Sequence, residues 1–228
     1  NVQVLRVEVW VTNRTGATTN TRDVIGFMDL GEKNPFGPWN GRPGALPDNG
    51  ANDLYTRLVN DPQARNSTEA TRVLTGLGLQ PVQDFEKTFA RKLLPTDYYF
   101  NERLGYLSLN QQLQPDEVLG VAFQYTYNGK VYQVGEFSQD VPPDSTGNAQ
   151  KVLFLKLLKA TSQRTNLPLW DLMMKNVYSV GFGQLQRPDF RLDVLYEEPS
   201  FGEKRYLPLD SIRPQYRGQP ILTLVNLD

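Results

Sequence analysis

The sequence predicts a mainly β protein: an antiparallel β-sandwich, of jelly-roll or immunoglobulin-like kind, with short helices in an insertion. Three observations carry this expectation. Many short stretches alternate apolar and polar residues, the period of a half-buried strand. Turn signals separate them at close intervals, among them 18 Gly and 16 Pro in 228 residues. Helical spacing of apolar residues is confined to a few short stretches, chiefly between residues 52 and 78. The expected organisation is one sandwich-like domain over residues 1–228 with a loop and helical insertion at 31–79. Two modules, 1–140 and 141–228, are the alternative.

The first strand is "VLRVEVWVTN", with Val7, Val9 and Val11 on one face and Arg6, Glu8, Trp10 and Thr12 on the other. After a turn-rich loop, "DVIGFMDL" reads as the returning strand. Residues 31–50 are dense in Gly, Pro and Asn. That is too long for an ordinary connection, so the segment is expected to be functional or pinned to a neighbour. Two short helices follow. In "NDLYTRLVNDP", Asn52 caps, Leu54, Tyr55, Leu58 and Val59 form the stripe, and Pro62 stops it. In "NSTEATRVLTGLG", Asn66 caps with Glu69 three residues on, and Ala70, Val73, Leu74 and Leu77 recur at helical spacing.

From Val82 the pattern returns to strands, beginning with "VQDFEKTFARKL", for which a helix is the alternative. Residues 98–137 read as a four-strand meander of two hairpins, one turning at 101–105 and one at Asn128 and Gly129. A two-residue type I′ turn needs φ > 0 at both central positions, which Asn and Gly tolerate. That turn sets Tyr127 against Lys130, Tyr125 against Tyr132 and Phe123 against Val134. Val121, Phe123, Tyr125, Tyr132 and Val134 then share an apolar face, while Ala122, Gln124, Thr126 and Gln133 share a wet one. "KVLFLKLLKA" reads as a strand buried on both faces. "LPLWDLMMKNVYSVG" reads as a short helix with Pro168 in its first turn and Leu169, Met173 and Val177 on one side. "FRLDVLYEE" alternates strictly as a strand, and "PILTLVNLD" is a final apolar segment.

Lys and Arg number 24 against 25 Asp and Glu, a net charge of −1, so no basic excess exists to hold the phosphates of a nucleic acid. No run approaches the roughly 18 apolar residues of a membrane-spanning helix, although barrel strands carry a weaker signal. His and Cys are both absent. Their absence removes disulfides, thiolate chemistry, Ser-His-Asp and Cys-His catalysis, and the usual zinc ligands. "GFGQLQ" lacks the third glycine of a dinucleotide loop. "DNGAND" at residues 48–53 offers oxygen ligands without the EF-hand register, so a capped loop is expected there in place of a calcium site. Glu197 and Glu198 point to opposite sides of a strand and make no glycosidase pair. Trp39 and Trp170 suit stacking on a sugar but are expected to pack against loop or core. The residues therefore predict a binding or structural domain without catalytic residues, cofactor or metal. A carbohydrate-binding β-sandwich module is the alternative that the aromatics suggest.

Three stretches carry a family resemblance: "LRVEVWVTNRTGATTNTRDVIGFMDLGE", "LGYLSLNQQLQPDEVLGVAFQYTYNGKVYQVGEFSQD" and "LFLKLLKA…LPLWDLMMKNVYSVG…DFRLDVLYEEP". They resemble, in order and spacing over nearly the whole chain, the SprA/Sov family of outer-membrane translocons of the Bacteroidetes type IX secretion system. Members of that family form a giant export barrel and support gliding motility or virulence-factor secretion. The chain is short and begins at Asn1 without a signal peptide, so the resemblance implies a fragment. It implies a soluble domain on the extracellular or periplasmic side of the outer membrane, with no catalytic residues and no membrane span of its own. The implied partners are other segments of the barrel, PorV-like and plug-like subunits, and secreted cargo. Phe36 and Trp39 in the long loop are the expected interface. Ser145 in "DST" and Ser211 in "DSI" resemble the O-glycan acceptor pattern of that bacterial group.

Overall fold

The structure, a computed structural model, describes residues 2–32, 46–142, 151–174, 188, 191–198, 200, 202–207 and 214–224. The chain divides into two compact units, Asn1–Asn176 and Val177–Asp228. Strand accounts for 35% and helix for 17%, so the fold is mainly β as expected.

The first unit contains strands β1 (Val2–Thr12), β2 (Thr21–Phe27), β3 (Phe85–Lys92), β4 (Tyr98–Asn101), β5 (Tyr106–Leu109), β6 (Leu119–Tyr127), β7 (Lys130–Val134) and β8 (Leu153–Lys159). Its helices are short: α1 (Leu54–Asn60), α2 (Pro62–Arg65), α3 (Ala70–Gly76) and α4 (Leu169–Leu172). The main sheet runs β1-β3-β2-β8-β6-β7, and β6 also pairs with β1. Five strands thereby close into a barrel-like ring. Every pair is antiparallel except β2 with β8.

The expected sandwich is therefore not what the pairings describe. Alternation and turn residues look the same for two facing sheets and for one sheet closed on itself. The decision rests on β6, whose Leu119–Tyr127 span runs along the whole of β1 and closes the ring. The expected four-strand meander also divides. β4 and β5 pair only with each other and form a separate ribbon.

Side chains from all five barrel strands meet inside: Trp10, Val24, Ala90, Ala122, Leu153 and Leu155. A ring of five strands leaves little room, and small residues provide it. A Cβ on Gly26 would overlap the Leu157 side chain, and one on Gly120 would lie 3.1 Å from Leu155 Cδ1. Two outer faces are also covered. The helices of the insertion pack Leu54, Leu58, Ala64, Ala70 and Leu74 against Ile25, Phe27, Phe85 and Phe154. The β4–β5 ribbon packs Tyr98, Leu107 and Leu109 over Val7, Val9, Val11, Leu119 and Val121. β1 is thus buried on both faces through Val9, Trp10 and Val11.

The helices differ from expectation in their ends. Asn52 Oδ1 does accept the Leu54 N–H, at 2.9 Å. Pro62 does not only stop α1 but opens α2, where Asp61 Oδ1 accepts the Gln63 N–H at 2.8 Å. Asn66 Oδ1 accepts the Thr68 N–H at 2.9 Å, yet Glu69 turns to Arg72 and closes no capping box. α4 ends at Leu172, and Met173 beyond it is exposed.

β7 and β8 share one edge of β6 end to end. β8 pairs with residues 119–121 and β7 with residues 123–127. On the other side of this pair of strands, β3 accompanies β1 only at residues 10–12. Among the described residues no strand lies along the edge of β1 opposite β6 from residue 2 to residue 7, where Val2 is 61% and Leu5 50% exposed. A bulge between Val4 and Arg6 interrupts that stretch.

In the second unit, β9 (Tyr196–Glu198) and β10 (Gly202–Lys204) form a hairpin, and α5 (Ile221–Leu224) lies near the end. Of the strand expected over "FRLDVLYEE", residues 196–198 are strand and residues 191–195 are not. The final apolar segment opens as the helix α5.

Candidate functional site

A cluster of buried polar groups centres on residues 135–138, between β7 and β8. Gly135 has φ +77, and a Cβ there would lie 2.8 Å from the Val121 carbonyl. Only glycine permits this approach without displacement. Beyond it the chain tucks against the barrel. Phe137 joins the interior beside Trp10, with the Arg6 guanidinium 3.8 Å above its ring.

Glu136 points toward the helical insertion and is saturated by donors. Arg65 Nη1 and Nη2 donate to its two oxygens at 2.6 and 2.5 Å. Tyr55 Oη donates at 2.8 Å and the Phe154 N–H at 2.9 Å. Arg65 also lies 4.2 Å from the centre of the Phe154 ring and donates to the Val152 carbonyl. Burial, reinforced by the Glu136 carboxylate, holds the Tyr55 phenol well above its ordinary value. Burial opposes the charge on Arg65, but the bonds to Glu136 outweigh it and raise the guanidinium. This is a bidentate clamp between insertion and barrel, not a group waiting for a substrate.

Glu8 forms the second cluster, at the barrel end of β1. Lys92 Nζ donates to it at 2.8 Å, and the Ser138 N–H and Oγ both donate at 3.0 Å. Burial pushes the Glu8 carboxyl up, yet these bonds outweigh it and leave it below its ordinary value. Lys156 makes a third brace, donating to the Met28 carbonyl and pairing with buried Glu32.

The Asn-Gly turn and its register are realised as expected, but the face expected to be wet is not wet throughout: Ala122 is fully buried in the barrel interior, because ring closure turns that face of β6 inward. Asn128 and Gly129 have φ +49 and +75, and Tyr125 faces Tyr132 across the pair of strands. Their rings stack at 5.3 Å, and Phe123 stacks on Tyr125 at 6.0 Å. Tyr125 is buried, and its hydroxyl donates to the Pro47 carbonyl at 2.5 Å. Burial, with help from the Asp48 charge, pushes the phenol up to about 12. Asn49 holds the same chain end against β7. Its N–H donates to the Gln133 carbonyl at 2.8 Å, and its Oδ1 accepts the Gly135 N–H at 2.9 Å. The descending end of the long loop is thus pinned to the hairpin, one of its two expected roles.

Two clefts of about 430 and 280 Å³ flank Gln112 and Leu113. Lys159 lines the larger one. Burial lowers its pKa, but its ammonium is spent on the Gln114, Pro115 and Glu117 carbonyls at 3.1, 2.9 and 2.6 Å. It offers no free amine there.

Phe36, Trp39, Ser145 and Ser211 lie outside the described residues, as does "GFGQLQ". Trp170 on α4 is half-buried. In the loop at 48–53, Asp48 Oδ1 accepts the Gly50 N–H at 2.7 Å and Asn52 Oδ1 caps α1, so these oxygens serve the backbone. Among the described residues no group of three or more Asp or Glu stands together to hold a metal ion. No helix among them is long and apolar enough to cross a membrane. Sequence reasoning missed the Glu136, Glu8 and Lys156 braces, because their partners are 71, 84 and 128 positions away. No family model matches the chain, and no curated protein matches it.

Proposed function

We propose that the chain is a non-catalytic structural domain of a type IX secretion outer-membrane translocon, part of the soluble cap or vestibule of the export barrel. The family assignment rests on the sequence resemblance. The structural reading rests on one observation: the buried charged groups best placed for chemistry are used as braces. Glu136 alone takes four donors from three elements. Such saturation suits a rigid spacer, because a reacting group needs a position left open for its substrate.

Neighbouring segments of the translocon, PorV-like and plug-like subunits, and passing cargo are the partners of this reading. The long loop with Phe36 and Trp39 is its contact surface, and its described end is already anchored to β7 through Asn49. Deleting residues 34–42 from the full-length translocon should abolish or impair secretion. The same deletion in the 228-residue chain should leave circular dichroism and melting unchanged. Normal secretion by the deleted translocon refutes the interface, and an unfolded fragment shows the loop to be core architecture.

The row Phe123, Tyr125 and Tyr132 keeps a second reading in view, a carbohydrate-binding β-sandwich module. A sugar platform needs free ring faces, whereas these rings are stacked on one another. A glycan array with the folded chain decides between them: binding lost in Tyr132→Ala supports the second reading, and a blank array the first.

A further inference from the structure

We propose that Asn128 is a site of spontaneous deamidation and that the equivalent reaction at Asn49 is suppressed by the fold. Both residues precede glycine, the neighbour that least obstructs the reaction because it has no Cβ. The nitrogen of the following glycine, having given its proton to solvent base, attacks the asparagine Cγ. A ring N–C bond forms, the Cγ–Nδ2 bond breaks, and ammonia leaves with a proton from water. Water then opens the succinimide at either carbonyl, giving Asp or isoAsp. The net change is amide plus water to carboxylate plus ammonium, with no oxidant and no enzyme.

The two sites differ in what must be undone before the nucleophile can reach Cγ. Asn128 is exposed at a hairpin tip and its side chain has no hydrogen-bond partner among the described residues. An added Cβ on Gly129 would meet nothing within 4 Å, so nothing packs against that side of the tip. Swinging it out disturbs only the last rungs between β6 and β7. At Asn49 both reacting groups are engaged. The Gly50 nitrogen that must attack donates to Asp48 Oδ1 at 2.7 Å. The Asn49 amide holds both the Gly135 N–H, at 2.9 Å, and the Gly135 carbonyl, at 3.4 Å. Its own N–H is bonded to Gln133 as well. Reaction there requires releasing the loop end from Gln133 and Gly135.

The products are not equivalent. Asp at 128 still suits a type I′ turn and adds one negative charge to the net −1. IsoAsp inserts a methylene into the main chain, which a two-residue turn cannot absorb, and so loosens β7 and its contact with Asn49.

The test is peptide mapping of the native 228-residue chain during incubation at mildly alkaline pH, with isoaspartyl methyltransferase labelling. Asn128 should deamidate about tenfold or more faster than Asn49, the ratio expected for a tip that opens more cheaply than a braced loop. In urea the two rates should converge. Asp48→Ala, which frees the Gly50 nitrogen, should accelerate Asn49 and leave Asn128 unchanged. Equal native rates, or Asn49 reacting first, overturn the proposal, as does an Asn49 rate indifferent to Asp48→Ala.

Discussion

Arg65 and Glu136 meet in a two-bond clamp at 2.6 and 2.5 Å, joining the helical insertion to the strand-to-strand connection of the barrel. Side-chain exposures of 13% and 2% put this pair in the class whose breakage leaves a charge stranded. Arg65→Met should cost about 3–5 kcal/mol in urea denaturation. The double variant Arg65→Met with Glu136→Gln should cost clearly less than the sum of the singles, because the stranded charge is gone. Additive losses mean the clamp is not a unit.

Gly135 and Gly129 both lie at positive φ, but only Gly135 is crowded. Gly129→Ala should cost about 1 kcal/mol, the strain of a left-handed residue alone. Gly135→Ala adds the clash with the Val121 carbonyl and should cost about 3 kcal/mol or more. Equal losses in a denaturation series contradict a close approach of Gly135 to Val121.

Val82 carries φ +68 in the turn that leads from the insertion into β3, and it is 38% exposed. A β-branched residue pays there for a conformation that Asn adopts readily. Val82→Asn should raise stability by about 1 kcal/mol. A lower denaturation midpoint contradicts the strain at this turn.

Glu8 sits below its ordinary carboxyl value, so across the carboxylate range the folded chain binds fewer protons than the unfolded one. Its contribution to stability is therefore present at neutral pH and disappears as the pH falls through that range. Lys92→Met should cost roughly 2–3 kcal/mol at neutral pH and flatten the acid limb of the stability curve. An acid limb as steep as that of the parent chain contradicts the role given to Lys92.

The parts legible in the sequence were those decided by local chemistry. The Asn-Gly pair fixed its hairpin to the residue, including Tyr125 opposite Tyr132. Apolar residues on both faces, broken by Lys156, marked β8, and period-2 alternation marked β1. Closure of the ring was not legible, since the pairing of β1 with β6 joins residues more than a hundred positions apart and leaves no periodic trace. The separation of β4 and β5 was hidden for a related reason: a hairpin's own turn says nothing about its next neighbour. The braces were invisible because, in a sequence, a buried charged residue looks like one on a wet face. Lys156 interrupts the most apolar run in the chain, and its position there was the available clue.

The arrangement of β7 and β8 along one edge of β6 has a consequence for biosynthesis. The ring lacks its fifth member until Lys159 has been made, because β8 alone bridges β2 and β6. Until then an emerging chain carries an open sheet with Gly26 and Gly120 facing an unfilled gap, and two unpaired margins. Such pairings between distant segments form slowly and expose sticky edges while they wait. β8 therefore acts as the keystone of the first unit: a chain that stops at residue 140 has its tyrosine hairpin but cannot complete the ring.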